Sequence, residues 1–192
     1  MDHATLPDGE LARLALTGRE RAFAEIMRRH REPVYRLIRA YVGDPDEALD
    51  LTQETFVSVH QALRRYDPAR PMRTWLSAIA VNKCRDWARK RAVRRFFSFA
   101  APIEEAHVVA DDRPGTEALA ADAQELGRVS AAIAALPAPL KEVLILRTIE
   151  GLSQAEAAGV LGVSEKAVET RLHRARAKLA EMLESQSGCL TG

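Results

Sequence analysis

The stretch from Leu152 to Leu179 constrains the chain most, because two helix-forming patterns meet there at a tight turn and the second is lined with cations. Ser153, followed three residues later by Glu156, is a capping-box start for a first helix reaching about Leu161. Gly162 ends that helix by supplying the positive φ the turn needs. Ser164 can cap a second helix, in which Val168, Leu172, Ala175 and Leu179 recur at helical spacing as one buried stripe. Ala158 falls where two crossing helices need a small side chain, and Val168 plugs the space between them. Lys166, Glu169, Thr170, Arg171, His173, Arg174, Arg176 and Lys178 take the other faces. A helix, a short turn and a helix is the unit that inserts its second helix into a DNA major groove. An ordinary helical hairpin with a solvated basic face is the plainer alternative. Capping, small residue, glycine and cation stripe all agree, so the pattern predicts a DNA reader. In it Arg171 and Arg174 suit guanine edges, Glu169 suits cytosine N4, and Lys166 and Lys178 suit phosphates. One local conflict is Gly159 inside the first helix, at a cost of about 1 kcal/mol relative to alanine.

The rest of the chain is also helical in pattern: 47% of its 192 residues are hydrophobic but only 5% aromatic, and no strand alternation stands out. Cys84 and Cys189 lie far apart, so neither a disulfide framework nor a zinc site is indicated, and no cofactor is expected. No N-terminal apolar run suits a signal peptide, and nowhere do about eighteen apolar residues run together to span a bilayer. The expectation is a soluble protein of the bacterial cytoplasm with no membrane insertion.

A net charge of +1 hides a sharp division along the chain. From Arg64 to Arg95 eleven cations face only Asp67 and Asp86, a net of +9. From Phe96 to Gly127 seven carboxylates face only Arg113, a net of −6, over a stretch holding Pro102, Pro114 and Gly115. That is linker composition. Helices are expected over Gly9 to Thr17, Glu20 to Val42 with a kink at Pro33, Asp46 to Arg65 and Arg73 to Arg94, with a loop from Tyr66 to Met72. Beyond the acidic stretch come Thr116 to Ala135, Ala138 to Glu150 and the helix pair. The expected fold is all-α: two small helical domains joined by a flexible acidic linker, the second a helix-turn-helix.

On the third helix Asp50, Gln53, Glu54 and Val57 fall at i, i+3, i+4 and i+7 as one mostly polar stripe. Such a stripe is usually solvated surface, but two carboxylates and an amide beside an apolar residue also suit docking on a basic helix. The fourth helix buries Leu76, Ile79, Ala80, Cys84 and Trp87 and shows Arg73, Asn82, Arg85, Arg89 and Arg91 elsewhere. Cations and aromatics near an exposed loop point to phosphates and unstacked bases.

Asp50-Leu51-Thr52-Gln53-Glu54, then Arg73-Thr74-Trp75-Leu76 with Ile79, Ala80 and Asn82, then Leu136-Pro137 ahead of the helix pair, resemble the small extracytoplasmic-function sigma factors of bacteria, in the sigma-70 family. The likeness runs from about Gly18 to Leu183. It implies a stress-responsive promoter-specificity subunit that joins the β and β′ subunits of core RNA polymerase on promoter DNA and answers to an anti-sigma factor. By this resemblance residues 1–95 dock on polymerase and melt the minus-ten element, 96–115 form the linker, and 116–192 read the minus-thirty-five element. Asp50, Gln53, Glu54 and Val57 would meet the β′ clamp helices. Tyr66, Asp67, Met72, Arg73, Trp75, Asn82, Arg85 and Arg89 would hold melted non-template DNA, with a flipped base in the loop. The chain departs from the pattern at Pro71-Met72, Leu49 and Glu169. A conventional helix-turn-helix regulator is the nearest rival, but it leaves the +9 block unexplained. An enzyme acting on nucleic acid would need paired carboxylates with a metal context, a Ser/His/Asp set or a phosphate-cradling loop, and none stands in the sequence.

Overall fold

The computed structural model describes residues 3–98 and 117–188, with side chains for 3–97 and 124–185, and every regular element among them is helical. Four helices build the first half: α1 (Asp8–Leu16), α2 (Glu20–Val42), α3 (Pro45–Ala62) and α4 (Met72–Ser98). α2 runs unbroken through Pro33, burying Ile26, Val34, Leu37, Ile38 and Tyr41 as the spacing predicts. Gly43 stops it at φ 84°, a left-handed conformation that favours glycine. Asp44 then caps α3, its carboxylate accepting from the backbone N–H groups of Asp46 and Glu47 at 2.9 Å each. α3 ends at Ala62, and Leu63–Arg65 tighten into one 3₁₀ turn where the sequence suggests α-helix throughout. α4 is longer at both ends than expected. It takes in Met72 and continues through Phe96 and Phe97, so the first residues assigned to the tether are helical. The remainder of the expected tether, from residue 99 to 115, lies outside the described residues.

The second half is α5 (Glu117–Ala135), α6 (Ala138–Leu144), α7 (Gln154–Leu161) and α8 (Glu165–Gly188). The single helix expected from Ala138 to Glu150 changes pitch at Ile145–Ile149, a π turn closed by the Glu150 N–H donating to the Ile145 carbonyl at 3.0 Å. The capping box forms in full: the Glu156 N–H donates to Ser153 Oγ at 3.2 Å, and the Ser153 N–H to Glu156 Oε2 at 2.7 Å. Gly162 sits at φ 67°, Ser164 Oγ accepts from the Ala167 N–H at 3.2 Å, and Val168 and Ala175 are fully buried. Leu172 and Leu179 pack more loosely, half-buried against that stripe. Gly159 is exposed, and nothing in the structure explains its place inside α7.

The sequence leaves the relation between the two halves open; the structure joins them. Leu37, Ile38, Tyr41 and Leu76 from the first half share one buried apolar cluster with Val143, Ile145, Leu146 and Leu152 from the second. Gly43 is doubly required, because a Cβ there would come within 2.9 Å of the Ala134 Cβ across the seam. Lys141 crosses it too: its ammonium donates to the carbonyls of Tyr41, at 3.1 Å, and Ala134, and lies 4.7 Å from the Tyr41 ring centroid.

Glu150 is the most constrained group at the seam. Its side chain is 2% exposed; Oε2 accepts from Arg73 Nε at 3.2 Å, while Oε1 has no hydrogen-bond partner. Burial raises its pKa above the usual carboxylate range, against the opposing pull of Arg73 and Arg36. A carboxyl raised by folding binds its proton more readily folded than unfolded. Its stabilisation is therefore fully present below the unfolded range and lost as pH rises through the raised value. Glu150→Gln keeps the shape and an acceptor for Arg73 but cannot ionise. In scanning calorimetry the variant is expected to melt above wild type at about pH 8, with the gap closing by about pH 4. A wild-type advantage at the higher pH would contradict this reading.

Candidate nucleic-acid and polymerase interfaces

α8 presents the expected recognition face. Lys166, Glu169, Thr170, His173, Arg174 and Lys178 are exposed, and Arg171 is half-buried. In the free chain Lys166 Nζ donates to Glu169 Oε2 at 3.0 Å, Lys178 Nζ to Glu181 Oε2 at 3.0 Å, and the Thr170 hydroxyl to the Lys166 carbonyl at 2.9 Å. These are one-turn pairs on a wet surface, worth a few tenths of a kcal/mol, about 0.3–0.5 each, and easily exchanged for DNA partners. Gln154 Nε2 donates to the Glu165 carbonyl at 3.1 Å, tying α7 to the start of α8.

The loop between α3 and α4 is ordered by its own contacts. The Tyr66 hydroxyl donates to the Arg70 carbonyl at 2.8 Å, the Ala69 N–H donates to Asp67 Oδ1 at 3.0 Å, and the Tyr66 and Trp75 rings meet at 5.2 Å between centroids. Pro68 rests on Gly9 of α1, where a Cβ would stand 3.0 Å from the Pro68 Cβ. Met72, expected to touch DNA, is instead 2% exposed: it begins α4 and packs into the core beneath the loop. The expected loop thus closes at Pro71, one residue early.

Along α4 the expected backbone-holding residues fare differently. Asn82 and Arg89 are exposed, Arg89 pairing with Asp86 on its own helix. Arg85 is committed across the seam. Its Nε donates to Glu142 Oε1 at 2.8 Å and its Nη2 to Glu142 Oε2 at 2.7 Å, a two-pronged pair with Glu142 only 4% exposed. That hydrogen bonding raises the Arg85 pKa above its ordinary value. Arg73 meets Glu150, and the Thr74 hydroxyl donates to Glu156 Oε1 at 3.2 Å.

α3 and α4 flank an open groove of about 700 Å³. Asp50 and Glu54 stand on its α3 wall, Lys83, Asp86, Arg89 and Lys90 on its α4 wall, with Leu51, Trp87 and Val93 between. Trp87 is fixed by its indole N–H donating to Glu47 Oε2 at 2.6 Å, and Arg91 lies 5.1 Å over its ring. Glu54 faces Lys83 at 3.9 Å. Gln53 and Val57 are exposed outside the groove, Val57 at 57%. Among the described residues no cluster of His, Cys, Asp and Glu could hold a metal ion, and no helix is long and apolar enough to cross a membrane.

Four residues that shape these surfaces escape sequence reasoning. Glu142 and Glu150 sit within an apolar helix pattern, and a charged residue at a position that should be buried is the one available signal. Glu47 and Gly9 act through partners 40 and 59 residues away, which no local pattern encodes.

Residues 26–94 match the family described as Sigma-70 region 2, and residues 126–179 that described as Sigma-70, region 4. The RNA polymerase sigma factor CnrH of Cupriavidus metallidurans is 42% identical over 183 residues, covering 94% of this chain and 96% of the relative. The ECF RNA polymerase sigma factor SigM of Mycobacterium tuberculosis is 33% identical, covering 92% of this chain and 84% of the relative. A solved structure of CnrH in complex with the cytosolic domain of CnrY superposes with a TM-score of 0.69 at 36% identity, over 93% of this chain and 97% of that one. Helix-turn-helix, basic α4 and the order of the motifs along the chain thus belong together: this chain is a member of the extracytoplasmic-function sigma factors of the sigma-70 family, which join RNA polymerase and direct it to promoters.

Proposed function

We propose a division of labour among the three surfaces. The groove edge and exposed face of α3, with Asp50, Gln53, Glu54 and Val57, dock on the clamp helices of β′. The loop from Tyr66 to Pro71 and the α4 residues Arg73, Trp75, Asn82, Arg85 and Arg89 hold melted minus-ten DNA. α8 enters the major groove of the minus-thirty-five element through Glu169, Thr170, Arg171, His173 and Arg174, with Lys166 and Lys178 on phosphates. The observation that carries this reading is the form of the groove between α3 and α4, with carboxylates on the α3 wall and, Asp86 apart, cations on the α4 wall, over a floor that holds Leu51 and Trp87. An acidic helix edge next to exposed Val57 suits a basic helix with an apolar ridge, whereas the cations of α4 suit a polyanion.

The chain does no chemistry of its own: it binds, orients and unpairs, and it works in the cytoplasm beside the polymerase. The loop has the materials for a base taken out of the stack. Extruding one costs a few kcal/mol, about 1–3 of which one aromatic stack returns. Tyr66 and Trp75, already in ring contact, offer such a platform. A protein partner that restrains the chain is proposed as well, supported by the complex in which CnrH was solved.

Reversing charge at Asp50 and Glu54 together, both to Lys, is expected to weaken core polymerase binding at least about tenfold while leaving the melting temperature unchanged, since both side chains are exposed. Wild-type affinity in a fluorescence binding titration against purified core enzyme would sink the docking assignment. In a promoter selection, Glu169→Lys is expected to change the preferred base at one position of the upstream element, by about 1–3 kcal/mol. Lys178→Ala is expected to weaken all sequences alike and lower the salt slope by about one. A Glu169 variant with wild-type preference at every position would show that this carboxylate does not face a base.

A further inference from the structure

On the α4 wall of the groove Lys83, Trp87 and Lys90 follow one another at i, i+4 and i+7, so the indole stands between two cations, with the Asp50 and Glu54 carboxylates on the facing wall. Trp87 is the one aromatic among the described residues that line the groove. A ring at the centre with charges around it is the anatomy of an anchor in a protein interface. An indole offers a large apolar surface but carries one N–H, and a donor that loses water without gaining a partner weakens any contact that covers it. Glu47 removes that difficulty in advance. Its Oε2 accepts from the Trp87 Nε1–H at 2.6 Å, a short charge-assisted bond. Glu47 is itself fixed at the start of α3, where its backbone N–H donates to Asp44 Oδ1 at 2.9 Å, and Arg91 lies 5.1 Å over the ring.

From this geometry we infer that Trp87 is the apolar anchor of the groove for a helix of core polymerase and that Glu47 is its positioning residue: by holding the indole N–H in the free chain, Glu47 fixes the ring and lets the partner helix cover it without stranding a donor. The inference rests on the reading of the α3 edge as the docking surface, and it extends that surface to α4. Both residues are half-buried beside an open groove, so in the free chain water can take the place of Glu47 at the indole, and stability depends little on the bond. Once a partner helix fills the groove, water is excluded and nothing else can accept from the ring. The bond therefore matters to binding more than to folding.

The test measures the affinity of the full-length chain for purified core polymerase by fluorescence titration, beside its melting temperature and its indole 15N–1H spectrum, to which two tryptophans contribute. Trp87→Phe assigns the Trp87 signal by deleting it. Glu47→Ala should move that signal upfield, weaken binding about tenfold and keep the melting temperature within about 4 °C of wild type. Glu47→Gln, whose amide oxygen still accepts from the indole, should bind within about twofold of wild type. On the Trp87→Phe background Glu47→Ala should cost nothing further, because no donor is left to satisfy. Equal losses from Glu47→Gln and Glu47→Ala, or a loss that persists on the Trp87→Phe background, would overturn the inference by showing that the Glu47 charge meets polymerase directly. A melting temperature lowered much further would make the bond a tie between helices and overturn it as well. Wild-type affinity in Glu47→Ala with the Trp87 signal moved would also overturn it; the docking reading would then stand or fall on the Asp50 and Glu54 reversal, which leaves Glu47 and Trp87 in place.

Discussion

The structure depends on the seam at which α6 and the π turn pack against α2 and α4. Apolar burial stabilises it, with Ile145 and Leu146 completely enclosed alongside Leu37 and Ile38. Charges make it selective. A buried ion pair rarely adds much net stability, because desolvation offsets attraction, but misplacing one partner leaves a buried charge unpaired. Glu142 and Lys141 are held by partners across the seam, while Glu150 keeps one oxygen unpaired, so a slip of this packing would strand buried charge. Gly43 sharpens this further, since only a residue without a Cβ can turn there and still admit Ala134.

This packing treats the two proposed DNA faces differently. The recognition helix stays exposed in the closed form, whereas Arg73 and Arg85 are engaged. The face proposed for upstream reading is thus exposed in this packing, while the two arginines proposed for the melted strand are paired with carboxylates. Apparent affinity for the melted strand falls by the fraction of molecules that are open. A partner shifts such an equilibrium only to the extent that it binds the open form better.

Much of this was legible from the residues. The helix-turn-helix could be read because each signal is local: Ser153 and Glu156 close a ring of two hydrogen bonds, Gly162 takes the one conformation the turn allows, and Val168 falls on the helical period. The cation-rich α4 and the Asp50 stripe were legible by the same periodicity. What was not legible depends on contacts distant in sequence. Arg85 and Glu142 stand 57 residues apart, and nothing in either neighbourhood announces the other. Met72 was misread as a loop residue because Pro71 looks like a break; a proline just before a helix instead leaves the next residue free to start it, and the core claims its side chain. The π turn at Ile145–Ile149 escaped notice since an apolar run has the same pattern at either pitch.

The central claim, that the two halves of the free chain pack against each other across one seam, is tested most directly by a distance across it. Cys84 is buried, with its thiol pushed up to about 12, so with Cys189→Ser spin labels can be directed to exposed Glu32→Cys on α2 and Ala177→Cys on α8. Pulsed electron double resonance on the free chain should give one narrow distance distribution, at the separation the packed seam sets. A broad distribution extending to much longer distances in the free chain would contradict the account.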